Sequence, residues 1–235
     1  MKPTVRSEWT KFISSSWCVA GASIALLLQP ILLLVGLAAT ANPTSSLALE
    51  QMLQALYVSQ VGMVIMSAGF FGQEYFDSSL RTTFLANSRR NHVLMAKVLI
   101  LAAVSMLVWI VSVGLGLVIA LSHNVYFPIC ALIRITFTMS SWIKICWISG
   151  FIAVILKSHI ISMAVIIPLL LAVNQLLVVI AGIFRFLPDA ATRNVFTIYP
   201  SEMFLEVRAG MAVQAIWVAA LGACALWLNA RRDVK

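Results

Sequence analysis

Six uninterrupted apolar runs occupy most of this chain of 235 residues and constrain its fold more than any other feature. They cover residues 17–41, 52–72, 98–121, 129–156, 160–184 and 211–229. A helix needs about 20 apolar residues to cross the hydrocarbon core of a bilayer, and each run reaches that length. Alternating segments of about 10 residues, the pattern of a membrane β-barrel, do not appear. The sequence therefore predicts an all-α, polytopic membrane protein with six transmembrane helices in a single domain over residues 1–235.

The composition agrees with this fold class, because 62% of the residues are apolar and only 10% are charged. A soluble domain carries about 25% charged residues, so a soluble globular enzyme and a disordered chain are both excluded. The four cysteines lie inside apolar runs, without CxxC spacing or a nearby histidine. This arrangement indicates neither a disulfide framework nor a metal site.

The net charge of +8 is distributed in a way that predicts the topology. Lysine and arginine concentrate in the N-terminal arm, in the loops after the second and fourth runs and in the C-terminal tail, whereas the loops after the first and third runs contain none. By the positive-inside rule, both termini are cytoplasmic. The first run is longer than the apolar core of a signal peptide, about 7 to 15 residues, so we expect it to be retained as a span. We assign the charge to topology and expect no nucleic-acid partner.

Two segments outside the runs have helical periodicity. In the N-terminal arm, residues 1–16, one face has the helical spacing of Val5, Trp9, Phe12, Ile13 and Ser16, and the basic residues Lys2, Arg6 and Lys11 lie off it. This pattern predicts an amphipathic helix that lies on the membrane lipid. The alternative is a charged flank of the first span with no further role.

The second periodic segment is residues 75–87, between the second and third runs. Phe76, Leu80, Phe84 and the neighbouring Leu85 form an apolar stripe, with Arg81 beside it. A short cytoplasmic helix of this kind either lies on the membrane or docks in a groove of a partner protein. The composition alone does not decide between these two positions.

Two further short helices are expected on the outer side of the membrane, within residues 188–207. The sequence Leu187-Pro188-Asp189 is typical of a helix start with Asp189 as its cap. The sequence Tyr199-Pro200-Ser201 is typical of a second start. Non-helical backbone between them must be covered by protein or face water.

Patterns typical of catalysis are missing from the sequence. The chain contains no G-x-x-x-x-G-K-[ST] phosphate loop, no G-x-S-x-G nucleophile elbow and no H-E-x-x-H zinc motif. Asp and Glu are also absent from the middle of the runs, where ion-coupled transporters usually place them. We therefore predict no catalytic residue, no metal ligand and no bound cofactor in this chain.

Three polar residues inside the runs are candidates for a substrate path. Lys144 lies near the middle of the fourth run, where a charge costs about 2.5 to 3.5 kcal/mol. It either faces a water-filled path or a subunit interface, or it extends towards the membrane surface. Asn174 and Gln175, in the fifth run, either line the path or form hydrogen bonds between helices. Arg134, near the outer end of the fourth run, is expected to extend to the surface.

Residues 74–97 carry a further pattern. Its defining positions are Glu74, Tyr75, Leu80, Arg81, Thr83, Arg90, Leu94, Ala96 and Lys97. The pattern resembles permease subunits of the ABC type-2 exporter family, in which span two ends in Glu, a short coupling helix follows, and a basic turn leads to a Lys in span three. Ser78 and Ser79 depart from the Gly and Thr that are usual there. The N-terminal arm is similar to the connecting helix of the same family, and the six-span layout matches as well.

The resemblance implies that ATP and Mg²⁺ bind to a separate cytoplasmic subunit, which docks on the coupling helix. The docking residues would be Glu74, Phe76, Leu80, Arg81 and Phe84, followed by the basic residues Arg89, Arg90 and Lys97. It also implies that two permeases, identical or paralogous, pair in a bacterial cytoplasmic membrane. The implied substrate is amphipathic, such as a peptide antibiotic, a drug or a lipid-like molecule, exported in antibiotic immunity or multidrug efflux.

Two other functions stay open on the sequence. An ATP-independent membrane scaffold or small channel would have the same composition and would conduct without ATP. A membrane enzyme that acts on lipids would be active as the purified chain alone. The absence of paired carboxylates and of histidine clusters argues against the enzyme.

Overall fold

The computed structural model describes residues 2–40, 44–76, 90–127 and 129–231, and these ranges contain no β-strand. The α-helices in these ranges are α1 (Lys2–Ser14), α2 (Ser16–Ala38), α3 (Ser45–Phe76), α4 (Arg90–Ser122), α5 (Ile129–Leu156), α6 (His159–Pro168), α7 (Asn174–Ile180) and α8 (Val207–Arg231). A π-helical turn, Leu169–Val173, joins α6 to α7, and two 3-10 helices follow at Gly182–Phe186 and Ala190–Phe196.

Five helices, α2, α3, α4, α5 and α8, are long and apolar enough to cross a membrane. The shorter helices α6 and α7 reach that length only as a pair, and the chain bends by 66° between them. The described residues therefore contain five candidate spans, or six if the bent pair is one span. The prediction of an all-helical, polytopic membrane protein is confirmed, whereas the number six is not established.

The fifth run is not the continuous helix predicted over residues 160–184. Pro168 ends α6, because its ring nitrogen carries no hydrogen and cannot bond to the carbonyl one turn earlier. The backbone then widens into the π-helical turn Leu169–Val173 before α7 begins at Asn174. Such local widening is frequent at functional positions of helices. The break places Asn174 at the start of a short helix rather than inside a long one.

Helices α3 and α4 are longer than the apolar runs that predicted them. Helix α3 begins at Ser45 rather than residue 52, and α4 begins at Arg90 rather than residue 98. The added turns contain polar residues, such as Glu50 and His92, which interrupt the apolar pattern without ending the helix. Hydropathy marks the part of a helix that crosses lipid, so it misses the polar ends.

The second outer helix predicted within residues 188–207 does not form. A single 3-10 helix, Ala190–Phe196, covers the first half of this range, and residues 197–206 are turns and extended backbone. Asp189 directly precedes this helix, as predicted, but its side chain makes no capping hydrogen bond. Its side chain instead turns inward, as described below.

Helix α3 is the most buried of the five long helices and lies at the centre of the bundle. Helix α2 packs closely along it, because Gly21 and Gly62 bring the two backbones together. A Cβ atom on Gly62 would collide with the backbone of Ala25, and one on Gly21 would collide with the backbone of Met66. Glycine is therefore required at this crossing by the close approach of the backbones.

The elements group at two ends of the bundle. At one end, Phe12 of α1 contacts Phe70 near the end of α3, with 5.1 Å between ring centroids. Trp17 lies near His159 at the start of α6, with a centroid distance of 5.5 Å. We call this the Lys97 end, after a lysine of α4 that is described below. At the opposite end, the start of α3 contacts residues 187–198, which we call the 187–198 segment. We call this the Asp189 end, after the aspartate in that segment.

Candidate functional site

At the Lys97 end, a buried lysine connects three helices. Lys97 on α4 is 2% exposed, and its Nζ donates to the carbonyl oxygen of Phe70 on α3 at 2.9 Å. The same Nζ lies 3.5 Å from Oε2 of Glu8 on α1. It also lies over the Phe70 ring, 4.7 Å from its centroid. Cations over aromatic faces are attracted by the ring quadrupole, so Phe70 holds the ammonium group in two ways.

The carboxylate of Glu8 faces two cations. It is 1% exposed, and its Oε1 accepts from Nζ of Lys11 at 2.8 Å. Phe12, one turn further on, is buried beside it, whereas Trp9 and Ile13 stay exposed. The buried face of α1 therefore runs through Glu8 and Phe12, and it differs from the predicted face of Val5, Trp9, Phe12 and Ile13. A hydropathy pattern cannot identify a buried glutamate whose partner lies on another helix.

Most predicted docking residues lie outside what the structure describes. Leu80, Arg81, Phe84 and Arg89 are outside the described ranges. The backbone of Glu74 and Phe76 belongs to the last turn of α3, and that of Arg90 begins α4, but the structure does not describe their side chains. Lys97 is the one member of the predicted set whose side chain is described. Its buried position close to the end of α3 is therefore the structural information that bears on this site.

Lys144, predicted to line a substrate path, is buried between α5 and α8. It is 9% exposed, and its Nζ donates to the carbonyl oxygen of Met211 at 3.2 Å. Sδ of the same methionine is 3.4 Å away. Asn174 has different partners, and Gln175 is exposed. The three candidates are thus distributed over separate surroundings, and their role in a path stays a prediction.

At the Asp189 end, four polar side chains form a buried group that we call the Asp189 cluster: Asp189, Tyr57, Asn174 and Arg193. Oη of Tyr57 donates to Oδ2 of Asp189 at 2.8 Å. Nδ2 of Asn174 donates to the same carboxylate oxygen, and it lies 3.3 Å from the Tyr57 oxygen. Asp189 is 3% exposed, and Asn174 is fully buried. The cluster therefore joins the 187–198 segment to α3 and to the start of α7.

Arg193 supplies a positive charge at the edge of this cluster. Its Cζ lies 4.0 Å from the centroid of the Tyr57 ring, and its Nη2 donates to Oε1 of Gln54 at 3.1 Å. Gln54 in turn donates to Glu50, whose other oxygen accepts from the backbone nitrogen of Ile198 at 2.5 Å. One face of α3 thus supplies successive hydrogen-bonding side chains to the 187–198 segment.

Burial dominates the electrostatics of Asp189. Loss of water around the carboxyl group raises its pKa from 3.8 to about 7, although the hydrogen bond from Tyr57, the charge of Arg193 and the hydrogen bond from Asn174 each lower it. Burial disfavours the charged form of any carboxyl group, whereas donors and cations favour it. At neutral pH the group is therefore balanced between its protonated and ionised forms.

Two further polar contacts hold the 187–198 segment against the bundle. Nη1 of Arg134 on α5 donates to the carbonyl oxygens of Thr197 and Ile198, at 2.6 and 2.9 Å. Arg134 therefore bonds to backbone of this segment, and its extension to the membrane surface stays a prediction. Oγ of Ser141, on the same helix, lies 3.4 Å from Oγ1 of Thr192. Arginine donors that satisfy exposed carbonyls explain how non-helical backbone is tolerated here.

The sequence contained a signal for this cluster that hydropathy obscures. Glu50, Gln54 and Tyr57 are spaced by four and three residues, so they share one face of an otherwise apolar helix. A polar stripe inside a span indicates a polar partner, because lipid offers none. Asp189 is the polar partner of Tyr57 on this stripe. Its position directly after Leu187-Pro188 favours the interpretation as a helix cap, so the sequence alone does not indicate this contact.

Comparisons of the chain with protein-family models, with curated proteins and with solved structures found no match. The functional argument consequently rests on the residues of the chain and on their geometry.

Proposed function

We propose that the chain is the permease subunit of an ATP-binding cassette exporter that moves an amphipathic substrate out of the bacterial cytoplasm. ATP and Mg²⁺ bind to a separate cytoplasmic subunit, and two permeases form the translocation unit. The substrate class is a peptide antibiotic, a drug or a lipid-like molecule. Two features support this proposal: the coupling-helix pattern over residues 74–97 and the buried contacts of Lys97 at the end of that pattern.

The observation that carries the proposal is the connection of three helices through Lys97. A subunit that pushes on residues 77–89 acts on the two helices that flank them, α3 and α4. Lys97 joins these helices to each other through the Phe70 carbonyl and joins both to α1 through Glu8. A force on this part of the chain therefore moves three helices together rather than bending one. A separate ATP-binding subunit requires such a connection in order to move the helices of the permease as a unit.

Helix α3 connects the two ends of the bundle. Phe70 and Tyr57 lie on this one continuous helix, Ser45–Phe76, and are separated by about 20 Å at 1.5 Å per residue. A helix that moves as a rigid element displaces Tyr57 when its other end is pushed. Movement at the Lys97 end is thereby passed to the 187–198 segment, where an outer gate would open.

The docking prediction is tested with Phe84→Asp. The new carboxylate lies on the apolar stripe, so it should prevent the ATP-binding subunit from remaining with the chain during purification in mild detergent. Thr82→Asp is the matched control, because it adds the same charge to the same segment on the helix face opposite the stripe. The proposal expects an ATP-hydrolysing protein in the wild-type and Thr82→Asp preparations and its loss with Phe84→Asp. Equal recovery in all three contradicts the docking surface.

The alternative of an ATP-independent scaffold or small channel predicts a different result. Vesicles that contain the purified chain alone would then show flux of an amphipathic dye without ATP. The exporter proposal expects no flux from the chain alone and ATP-dependent flux once the second subunit is present.

A further inference from the structure

The hydrogen bonds of Asp189 are distributed unequally over its two oxygens. Oδ2 accepts from both Tyr57 and Asn174. Oδ1 is buried and has no hydrogen-bond partner among the described residues, and the same is true of the amide oxygen of Asn174. A buried acceptor without a donor loses its hydrogen bonds to water and gains none in return, which is unfavourable. The acid–amide pair therefore has two unsatisfied acceptors and lacks one hydrogen.

A proton on Asp189 supplies that hydrogen. A protonated carboxyl group is a donor at one oxygen and an acceptor at the other, which matches the acceptor and donor of an amide. Asp189 and Asn174 already form one of the two bonds of such a pair. The second bond, from the carboxyl hydrogen to the amide oxygen, satisfies both buried acceptors at once. The pKa of Asp189, about 7, permits this proton to bind and leave near neutral pH.

The ionised carboxylate has a different partner within reach of the same segment. Arg193 lies four residues further along the chain, and its Nη1 is buried without a hydrogen-bond partner among the described residues. Its charge already acts on Asp189. A carboxylate that turns from Asn174 towards Arg193 exchanges a neutral partner for a cation, which is the stronger type of bond for an ionised acceptor.

We propose that Asp189 is a proton-binding site that fastens the 187–198 segment to α7, at the break in the fifth apolar run. Protonated Asp189 binds Asn174 and Tyr57, so the segment stays attached to α7 and α3. When the proton leaves Oδ1 for water, the carboxylate turns to Arg193 and the contact with Asn174 is released. No other bond forms or breaks. The proposal is independent of the proposed function, because an ATP-driven permease needs no proton-binding site.

The surrounding ionisable groups are consistent with this assignment. Tyr57 on α3 and Arg193 on the segment itself act directly on Asp189. The other charged groups on the elements packed around the segment are Glu50 and Glu74 on α3, Arg134 and Lys144 on α5, Arg185 on the preceding 3-10 helix, and Arg208 and Arg231 on α8, with Glu74 and Arg231 in the last turns of their helices. Glu50 is bonded to Gln54 and Ile198, and Arg134 and Lys144 are bonded to backbone carbonyls. Of these charged groups, Arg193 is the one whose charge acts on the Asp189 carboxyl group.

Infrared difference spectroscopy tests the proposal on the full chain in detergent. A protonated buried carboxyl group has a carbonyl stretching band that disappears when the proton leaves. We expect a band that is lost with a midpoint near neutral pH and that is absent in Asp189→Asn. Glu206→Gln, which changes an exposed carboxylate, should leave the band unchanged. A band that survives in Asp189→Asn, or the lack of any titrating band in the wild type, overturns the proposal.

Two further variants separate a tuned site from a carboxyl group that is merely buried. Arg193→Gln removes the cation that favours the carboxylate, so the midpoint should move to higher pH. Arg185→Gln removes an exposed arginine of the adjacent 3-10 helix and should not move it. Hydrogen exchange of residues 190–198 should increase above the midpoint in the wild type beyond the chemical rate, and it should not respond to pH in Asp189→Asn. A pH-independent exchange in the wild type, or a midpoint that follows the sodium concentration instead of pH, contradicts the fastening role.

Discussion

Replacing Glu8 by Gln tests the connection between α1 and the helices that flank residues 77–89. The variant keeps the shape of the side chain and removes the charge that faces Lys97. Glu8 and Lys97 are 1% and 2% exposed, and Oε2 and Nζ are 3.5 Å apart. At that distance Coulomb's law gives about 5 kcal/mol with an effective dielectric constant of about 20. Experiments that break buried pairs by removing one partner give about 3 to 5 kcal/mol.

We therefore expect Glu8→Gln to lower the free energy of unfolding by about 3 to 5 kcal/mol. The measurement is unfolding of the purified chain in mixed micelles as the fraction of denaturing detergent rises, followed by tryptophan fluorescence and helicity. Lys97→Met removes the other partner, and the double variant Glu8→Gln/Lys97→Met completes the cycle. The double variant should be less destabilised than the sum of the single variants. Glu202→Gln, which changes an exposed carboxylate, is the control.

The reasoning is refuted if Glu8→Gln changes the unfolding free energy by less than about 0.5 kcal/mol, the range of ordinary surface substitutions. It is also refuted if the two single variants are additive, because additivity means that the two charges do not interact.

Three further predictions concern other parts of the bundle. Gly62→Ala should destabilise the chain by several kcal/mol, because the added Cβ meets the backbone of Ala25. Gly114→Ala has open space around its added Cβ and should stabilise the chain by about 0.5 to 1 kcal/mol. Unfolding in mixed micelles measures both changes. Lys144→Met should increase stability by removing a buried cation whose partners are uncharged, and it should lower ATP-dependent export if Lys144 lines the path. Because burial raises the pKa of Asp189 from 3.8 to about 7, the folded state holds the proton more tightly than the unfolded chain. The stabilisation from protonated Asp189 is therefore complete below pH 3.8 and is lost as the pH rises through about 7. The free energy of unfolding should fall by up to about 4 kcal/mol over this range, and Asp189→Asn should show no such fall.

The sequence predicts the helical spans because their cause is local. A run such as 129–156 contains enough apolar residues to cross a bilayer, and α5, Ile129–Leu156, has the same limits. The longer polar ends of α3 and α4 follow from contacts with other elements, which hydropathy does not include. The break after Pro168 was visible as a proline, but prolines inside spans often leave the helix continuous, as Pro30 does in α2.

The candidate site was harder to predict because its partners are distant in the sequence. Tyr57 and Asp189 are separated by 132 residues, and no local pattern joins them. Lys97 was recognised through the motif, but its pairing with Glu8 on α1 depends on how three helices pack. Asn174 was recognised as a polar residue in a span, and the interpretation as a bonding group agrees with its contacts to Tyr57 and Asp189.

The most direct test of the exporter proposal is a photoreactive amino acid placed at position 84 of the full chain in intact cells. The account predicts an ultraviolet-dependent adduct with a cytoplasmic ATP-binding protein, identified by mass spectrometry, and little adduct when the same group replaces Thr82, on the opposite face of the segment. Adducts with lipid alone, or modification of position 84 by reagents that reach only the outer face of the membrane, would contradict the proposal.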